Sequence, residues 1–168
     1  MRSYKIKERT SEAIKDGFDE NPTQKQVESG TILIVYRAHG NLSKMIGRFF
    51  FTPQIAGTPR INWTADMLER ELNAALWDND FRYLAKFRVL EGVKYKIGPI
   101  AHDKYQGVDF TPSGGRLSFD QYSYFRNANM FLQVQIDGIT PSNWHEYLDL
   151  LEAVPIKAER FHRGTGRC

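Results

Sequence analysis

The segment Thr31-Ile-Leu-Ile-Val-Tyr-Arg37-Ala-His-Gly40 is an apolar, β-branched run that ends in an arginine and a glycine. The five consecutive apolar or aromatic residues 32–36 predict a strand that is covered on both faces. A guanidinium at the end of such a strand is planar, permanently charged and able to bind a phosphate with two parallel hydrogen bonds. Arg37 could equally pair with a carboxylate at the rim of a sheet, and this strand alone leaves both interpretations open.

The composition predicts one folded domain with polar ends. The chain of 168 residues can bury a single core, and its 23 basic and 20 acidic side chains are interspersed along it. A net charge of +3 without a continuous basic stripe gives no strong signal for nucleic acid. We expect an N-terminal arm at residues 1–30, the main domain at 31–156 and a basic C-terminal tail at 157–168.

Several common kinds of site and segment are excluded by residue usage. Cys168 is the only cysteine, so an internal disulfide and a cysteine-based zinc site are both excluded within this sequence. The histidines lack metal-ligand spacing, and we predict no metal site; they are His39, His102, His145 and His162. The N-terminus has no apolar leader and no stretch approaches the length of a membrane span, so we expect neither a signal peptide nor membrane insertion.

Apolar periodicity and turn residues predict an α+β fold. Strands are predicted at residues 31–37, 49–53, 81–90, 93–97, 116–125 and 130–136, and helices at 11–17, 64–77 and 140–155. Thr64 can cap its helix, and Thr140 followed by Pro141 is typical of a helix start. Glu91-Gly92 predicts a tight hairpin turn between the strands on either side of it.

Faces can be assigned for the last two of these elements. On the strand at 130–136, alternation places Phe131, Gln133 and Gln135 together on one face. On the helix at 140–155, the spacing of three apolar residues predicts an inward face that consists of Trp144, Leu148 and Leu151.

The candidate functional side chains lie outside the standard catalytic motifs. The sequence has no P-loop, no G-x-S-x-G, no H-E-x-x-H and no G-x-G-x-x-G. The glycines and prolines in residues 98–115 predict a long loop, which in a compact domain is commonly functional. An arginine at a strand end, loop aromatics and late glutamines suggest a nucleotide pocket; the candidates are Arg37, Arg48, His102, Tyr105, Gln121, Gln133 and Gln135.

Six short motifs resemble, in order, the layout of the tuberculosis necrotizing toxin family. They are Tyr36-Arg37, Gly47-Arg48-Phe49-Phe50-Phe51-Thr52-Pro53, residues 92–101, Gly114-Gly115, Gln133-Val-Gln135 and residues 144–155. Each motif is short, and their shared order over about residues 32–155 carries the resemblance. The resemblance implies that residues 31–156 form a catalytic, ADP-ribosyltransferase-like domain. Its fold would be α+β, with two small, packed, mostly antiparallel sheets that form a cleft and with flanking helices.

The resemblance also implies the roles of individual residues. Arg37 would contact the pyrophosphate of NAD or the adjoining ribose, and Phe49 or Phe50 would flank the nicotinamide. Arg48, His102 and Tyr105 complete the expected NAD-binding set. In the family the catalytic glutamine follows the paired glycines almost directly, whereas here Gln121 follows after five residues and Gln133 after seventeen. We favour Gln133 because of its distance to the segment at 144–155, and Gln121 remains the alternative.

The implied activity is NAD glycohydrolysis by a toxin or effector domain. NAD is then the substrate, and no cofactor is expected. Related transferases commonly carry a glutamate where this chain has Gln135, and a neutral amide activates an acceptor poorly, which favours hydrolysis. The alternatives are an ADP-ribosyltransferase that modifies a protein or nucleic acid, and a non-catalytic nucleotide-binding module. A secreted or delivered effector of this kind would act in a target-cell cytoplasm and require a neutralising immunity protein in its producer.

Overall fold

The computed structural model of the protein describes residues 10–55, 60, 63–72, 80–100 and 130–156. Several predictions lie outside these residues. They are the strand at 116–125, the tail at 157–168 and the site residues His102, Tyr105 and Gln121, together with most of the loop at 98–115.

Seven strands and two short helices make up the described fold, which confirms a mixed, mostly antiparallel α and β architecture. In chain order they are α1 (Ser11–Lys15), β1 (Thr23–Gln26), β2 (Leu33–His39), β3 (Phe49–Pro53), α2 (Ala65–Glu71), β4 (Tyr83–Val89), β5 (Lys94–Pro99), β6 (Phe131–Gln135) and β7 (Leu148–Pro155). The strands form one sheet in the order β1-β5-β6-β3-β2-β4-β7. Over the described ranges a second, separate sheet is not seen.

Strand β2 is covered on both faces around Val35 and Tyr36, although Ile32, the first residue of the predicted run, precedes the strand and is exposed. Val35 belongs to one buried cluster, and its neighbour Tyr36 belongs to another on the opposite face. The helix α2 covers the second cluster through Leu68, and Thr64 caps it by accepting from the backbone N–H of Met67 at 3.2 Å. Sequence patterning therefore identified β2 and the helix that packs on one face of the sheet beside it.

The sheet is joined weakly at its middle, between β2 and β3. β2 pairs with β4 over seven residues and β3 pairs with β6 over five, but β2 and β3 share the single register pair Tyr36 and Phe51. The hydroxyl of Thr52 adds a bond to the carbonyl of Ile34 at 2.9 Å. Beyond this pair, toward His39, no register pair joins β2 to β3, and the two strands part.

The sheet is also strongly curved. β4 ends at Val89 and β5 begins at Lys94, although β6, β3 and β2 lie between them in the sheet. Four strand spacings in a flat sheet span about 19 Å, whereas five extended residues reach about 17 Å at most. Curvature brings both halves of the sheet onto one core, which contains Val35, Phe50, Phe87, Val134 and Leu148.

The hairpin predicted at Glu91-Gly92 is wrong. The turn is present, with Gly92 at φ 83°, but β4 pairs with β2 and β7 while β5 pairs with β1 and β6. The N–H of Gly92 donates to the carbonyl of Val27, at the end of β1. Turn residues specify a local reversal, but both edges of β4 are occupied by strands from elsewhere in the chain, so the turn connects two halves of the sheet.

The last predicted helix is also wrong. A short 3-10 turn, Trp144–Glu146, is followed by β7, which pairs with the whole length of β4 and shifts register between Lys86 and Phe87. Leu148 is buried in the core, but Leu151 is exposed. The free edge of β4 offers backbone partners to this segment, and such tertiary pairing overrides a weak helical period.

Replacement of each of these leucines by alanine tests the corrected assignment. Leu148 is 1% exposed and Leu151 is 47% exposed. We expect Leu148→Ala to lower the free energy of unfolding in urea by about 2–5 kcal/mol. Leu151→Ala should change it by no more than about 0.5 kcal/mol. Equal, large losses for the two variants would support the helix instead.

Candidate functional site

The guanidinium of Arg37 fills the gap where β2 and β3 part. Its Nη1 donates to the carbonyl of Phe49 at 2.8 Å, and its Nη2 donates to the carbonyl of Lys44 at 3.3 Å. The carbonyl of Arg48 accepts from the N–H of Ile136, the residue that follows β6, so the carbonyl of the next residue, Phe49, faces β2. The side chain of Arg37 therefore donates to the Phe49 carbonyl in place of a backbone N–H of β2.

Gly47 makes room for this guanidinium. A Cβ atom at Gly47 would lie 2.5 Å from Nη2 and 2.6 Å from Cζ of Arg37. The 3-10 turn Leu42–Lys44, capped by Asn41, places the carbonyl of Lys44 on the same guanidinium. The segment between β2 and β3 thus wraps the arginine side chain closely.

The charge of Arg37 is not neutralised by a carboxylate among the described residues. Its two hydrogen bonds go to backbone carbonyls, and its buried Nε has no hydrogen-bond partner. Burial lowers the pKa of Arg37, yet an arginine keeps its proton at neutral pH. Among the described residues, Arg37 is therefore not a member of an ion pair at the rim of the sheet.

Arg48, in contrast, is engaged by two carboxylates. Its Nη2 lies 2.8 Å from Asp16 and its Nη1 lies 3.2 Å from Asp137. Its guanidinium carbon also lies 4.8 Å from the centre of the Phe49 ring. Arg48 is 44% exposed, whereas the side chain of Asp16 is only 6% exposed. The arginine thus connects α1 to the ends of β3 and β6.

Gln133 lies under the N-terminal segment. Its Nε2 donates to the backbone carbonyl of Asp16 at 2.7 Å, and its Oε1 lies 3.8 Å from the position of a Cβ atom at Gly17. Its partners on the neighbouring strands are Phe51 and Gly98. The predicted arm therefore contributes α1 and the edge strand β1, and α1 leads into the turn that contacts the favoured glutamine.

Gln135 is the more deeply buried of the two glutamines on β6. It is 2% exposed, its Nε2 donates to Asp137 at 2.9 Å, and its buried Oε1 has no partner. Its partner on β3 is Phe49, whose carbonyl holds Arg37. The sequence makes Gln135 a candidate beside Gln133, and its neutral amide there favours hydrolysis over transfer.

The two phenylalanines predicted to flank nicotinamide lie in different environments. Phe50 is buried in the core and packs edge-on against Phe87 at 5.8 Å between ring centres. Phe49 is half-buried beneath Arg48 and pairs with Gln135. Of the two, Phe49 is the one that lies with the candidate side chains.

The pairing register relates the two central candidates, Arg37 and Gln133. Tyr36, Phe51 and Gln133 are successive partners and share one face, so Arg37 starts from the other face. Its guanidinium nevertheless reaches the carbonyl of Phe49, two residues from Phe51 along β3. Phe49 pairs with Gln135, which lies two residues from Gln133 along β6. Two residue rises along β6 and one spacing between strands therefore place the Cα atoms of Phe49 and Gln133 about 8 Å apart.

Sequence reasoning missed Asp16 and Asp137. Asp137 continues the two-residue alternation of Gln133 and Gln135, and this pattern could have identified it. Asp16 follows a short helix, and no local pattern distinguishes its buried carboxylate from a solvated one.

Other kinds of site receive no support from the described part of the chain. There, no group of three or more histidine, cysteine or acidic side chains is arranged to hold a metal ion. A cavity of about 210 Å³ lies beside α1 and β1, bordered by Glu12, Phe18 and Lys96, away from Arg37. No helix within the described ranges is long and apolar enough to cross a membrane.

Comparison of the chain with protein-family models, with curated proteins and with solved structures finds no match.

A double-mutant cycle tests the close fit between Gly47 and Arg37. We expect Gly47→Ala to destabilise the protein by about 1–3 kcal/mol, because the new methyl group displaces the guanidinium and leaves the Phe49 carbonyl unpaired. In the Arg37→Ala background the same change should cost less by at least about 0.5 kcal/mol. Equal costs of Gly47→Ala in both backgrounds, measured by urea unfolding, would show that Arg37 does not require the glycine.

Proposed function

We propose that this protein is an NAD glycohydrolase in which Arg37 binds the pyrophosphate and Gln133 acts at the nicotinamide ribose. The proposal includes an ADP-ribosyltransferase-like fold, as the resemblance to the tuberculosis necrotizing toxin family implies. The observation that carries it is the buried Nε of Arg37, a cation without a carboxylate partner in the described structure, at the place where the sheet parts.

The joint between β2 and β3 supports the fold part of the proposal. With one register pair at this joint, β1-β5-β6-β3 and β2-β4-β7 form two halves of the sheet. Both halves contribute to the same buried cluster, for example Phe50 from one and Phe87 from the other. Two packed halves that separate at one end of their joint would leave a cleft beside Arg37.

The nitrogens of the Arg37 guanidinium differ in their contacts: Nη1 binds the backbone of β3, and the edge that contains Nε suits an anion. Nη1 holds the Phe49 carbonyl, while Nη2 makes a long bond of 3.3 Å to Lys44 and Nε makes none. The Nε and Nη2 atoms form the edge that binds phosphate with two parallel hydrogen bonds. A pyrophosphate that displaces the Lys44 carbonyl would use this edge without breaking the bond to Phe49.

The nicotinamide ribose would then lie toward β6. Strand geometry places the Cα atoms of Phe49, whose carbonyl holds Arg37, and Gln133 only about 8 Å apart, so one ligand can extend from the guanidinium toward the amide. Phe49, half-buried at the edge of β3, would pack against a ring between the two polar groups. Arg48 borders this path, but its guanidinium is already paired with Asp16 and Asp137.

The reaction needs little proton transfer before the bond breaks. The C–N bond electrons neutralise the cationic nicotinamide ring, water adds to C1′, and a proton from that water goes to solvent. The Oε1 of Gln133 can accept a hydrogen bond from a ribose hydroxyl or from the attacking water, which stabilises and orients the reacting groups. The products are nicotinamide and ADP-ribose.

The proposal extends to biological context. A free NAD hydrolase would damage its producer, so we propose a cognate immunity protein that blocks the cleft and delivery of the protein into a target cell. If catalysis instead transfers ADP-ribose to a protein or nucleic acid, the chain is a transferase of the same superfamily. If it binds NAD without release of nicotinamide, it is a binding module.

Nicotinamide release by Arg37→Ala tests the anion-binding role. We expect purified wild-type protein to release nicotinamide from NAD without a cell extract. Arg37→Ala should lower kcat/KM at least about 100-fold, because the pyrophosphate loses a bidentate cation. Arg37→Lys keeps the charge but not the planar edge, and we expect an intermediate value.

Arg88→Ala is the matched control, because Arg88 is a half-exposed arginine paired with Asp149 on the β4 and β7 side of the sheet. It should retain wild-type kcat/KM. Circular dichroism must first show that each variant is folded. A folded Arg37→Ala protein with unchanged kcat/KM would remove Arg37 from the site, and release that depends on an extract would indicate the transferase.

A further inference from the structure

We infer that Asp16 is a positioning residue for Gln133: its ion pair with Arg48 holds the Asp16 carbonyl against the Gln133 amide and so fixes Oε1 as the acceptor that faces substrate. This inference rests on the proposed function for its catalytic consequence, but the contact itself can be measured separately.

The orientation of the amide follows from the chemistry of its partner. The backbone carbonyl of Asp16 lies 2.7 Å from the Gln133 amide and can only accept a hydrogen bond. The NH2 group must therefore face Asp16, and Oε1 must point away from it. A glutamine free to rotate would present a donor to the ribose for part of the time and an acceptor for the rest.

The Asp16 carbonyl is held in place from two directions. Asp16 ends α1, and its own N–H donates to the carbonyl of Glu12 at 2.9 Å. Its nearly buried carboxylate pairs with Arg48 at 2.8 Å, across 32 positions of sequence. A second ion pair, from Lys96 on β5 to Glu12 at 2.6 Å, anchors the same helix to the sheet.

Gly17 leaves the Oε1 side of the amide uncovered by a side chain. It has φ +80°, and a Cβ atom there would lie 3.8 Å from Oε1. The residue after Asp16 thus turns the chain without placing a side chain beside the acceptor oxygen. The carbonyl of Asp16 thus binds one end of the amide, and Gly17 places no side chain against the other end.

Arg48→Ala and Asp16→Ala test the catalytic consequence. Both should lower kcat for nicotinamide release at least about tenfold, since misorientation of a reacting group affects the chemical step. The KM for NAD should stay within about twofold, because Arg37 is unchanged. Arg48→Lys restores a cation for Asp16 and should recover most of kcat, whereas Arg88→Ala, which breaks a distant ion pair, should behave as wild type.

The NH2 resonances of Gln133 provide a readout that does not need activity. They can be assigned in a 1H–15N spectrum by their loss in Gln133→Leu. In the wild type we expect slow solvent exchange of these protons, and in Asp16→Ala and Arg48→Ala exchange at least about tenfold faster. Arg48→Lys should restore protection.

The two measurements separate the possible failures. Unchanged NH2 exchange in both alanine variants, or faster exchange with unchanged kcat, overturns the positioning role. A protected amide in a wild-type protein that releases no nicotinamide overturns the proposed function and leaves the contact between Asp16 and Gln133 established. A rise in KM with unchanged kcat would place Asp16 in substrate binding instead.

Discussion

The hydrogen bond from Arg37 to the carbonyl of Phe49 is the interaction on which the centre of this molecule depends. It stands where the two middle strands separate, and it satisfies a backbone acceptor that the ladder leaves open. Because the strands part there, a guanidinium can occupy the gap, and because Gly47 has no side chain, the loop can close over it. The same geometry leaves the Nε atom of Arg37 without a hydrogen-bond partner.

The proposed site is assembled from distant parts of the chain. Arg37 comes from β2, Gln133 from the late strand β6, and the carbonyl that holds Gln133 comes from Asp16 near the N-terminus. Arg48 links these parts, since it follows Gly47 and pairs with Asp16. A change in any one of these segments therefore alters the surroundings of the others.

Within the described ranges, local patterns predicted the strands and helices up to residue 136 except β1, whose residues are all exposed and polar. They did not predict the strand order or the last segment. The apolar run at 32–36 and the cap at Thr64 depend on residues that are adjacent in sequence, so both can be recognised from the sequence. The strand that pairs with β4 depends on which strand edges are free in the folded protein. The pattern around Leu148 is compatible with a helix or a strand, and pairing with the edge of β4 decides between them. The buried pairing of Asp16 with Arg48 is likewise set by the fold.

A crystal structure of the protein with ADP-ribose measures the central claim most directly, through the distances from Nε and Nη2 of Arg37 to the nearest phosphate oxygens. The account predicts both within hydrogen-bond range, with Nη1 still on the Phe49 carbonyl and the Lys44 carbonyl displaced. A ligand bound with its pyrophosphate elsewhere, and with the guanidinium of Arg37 still on both carbonyls, would contradict it.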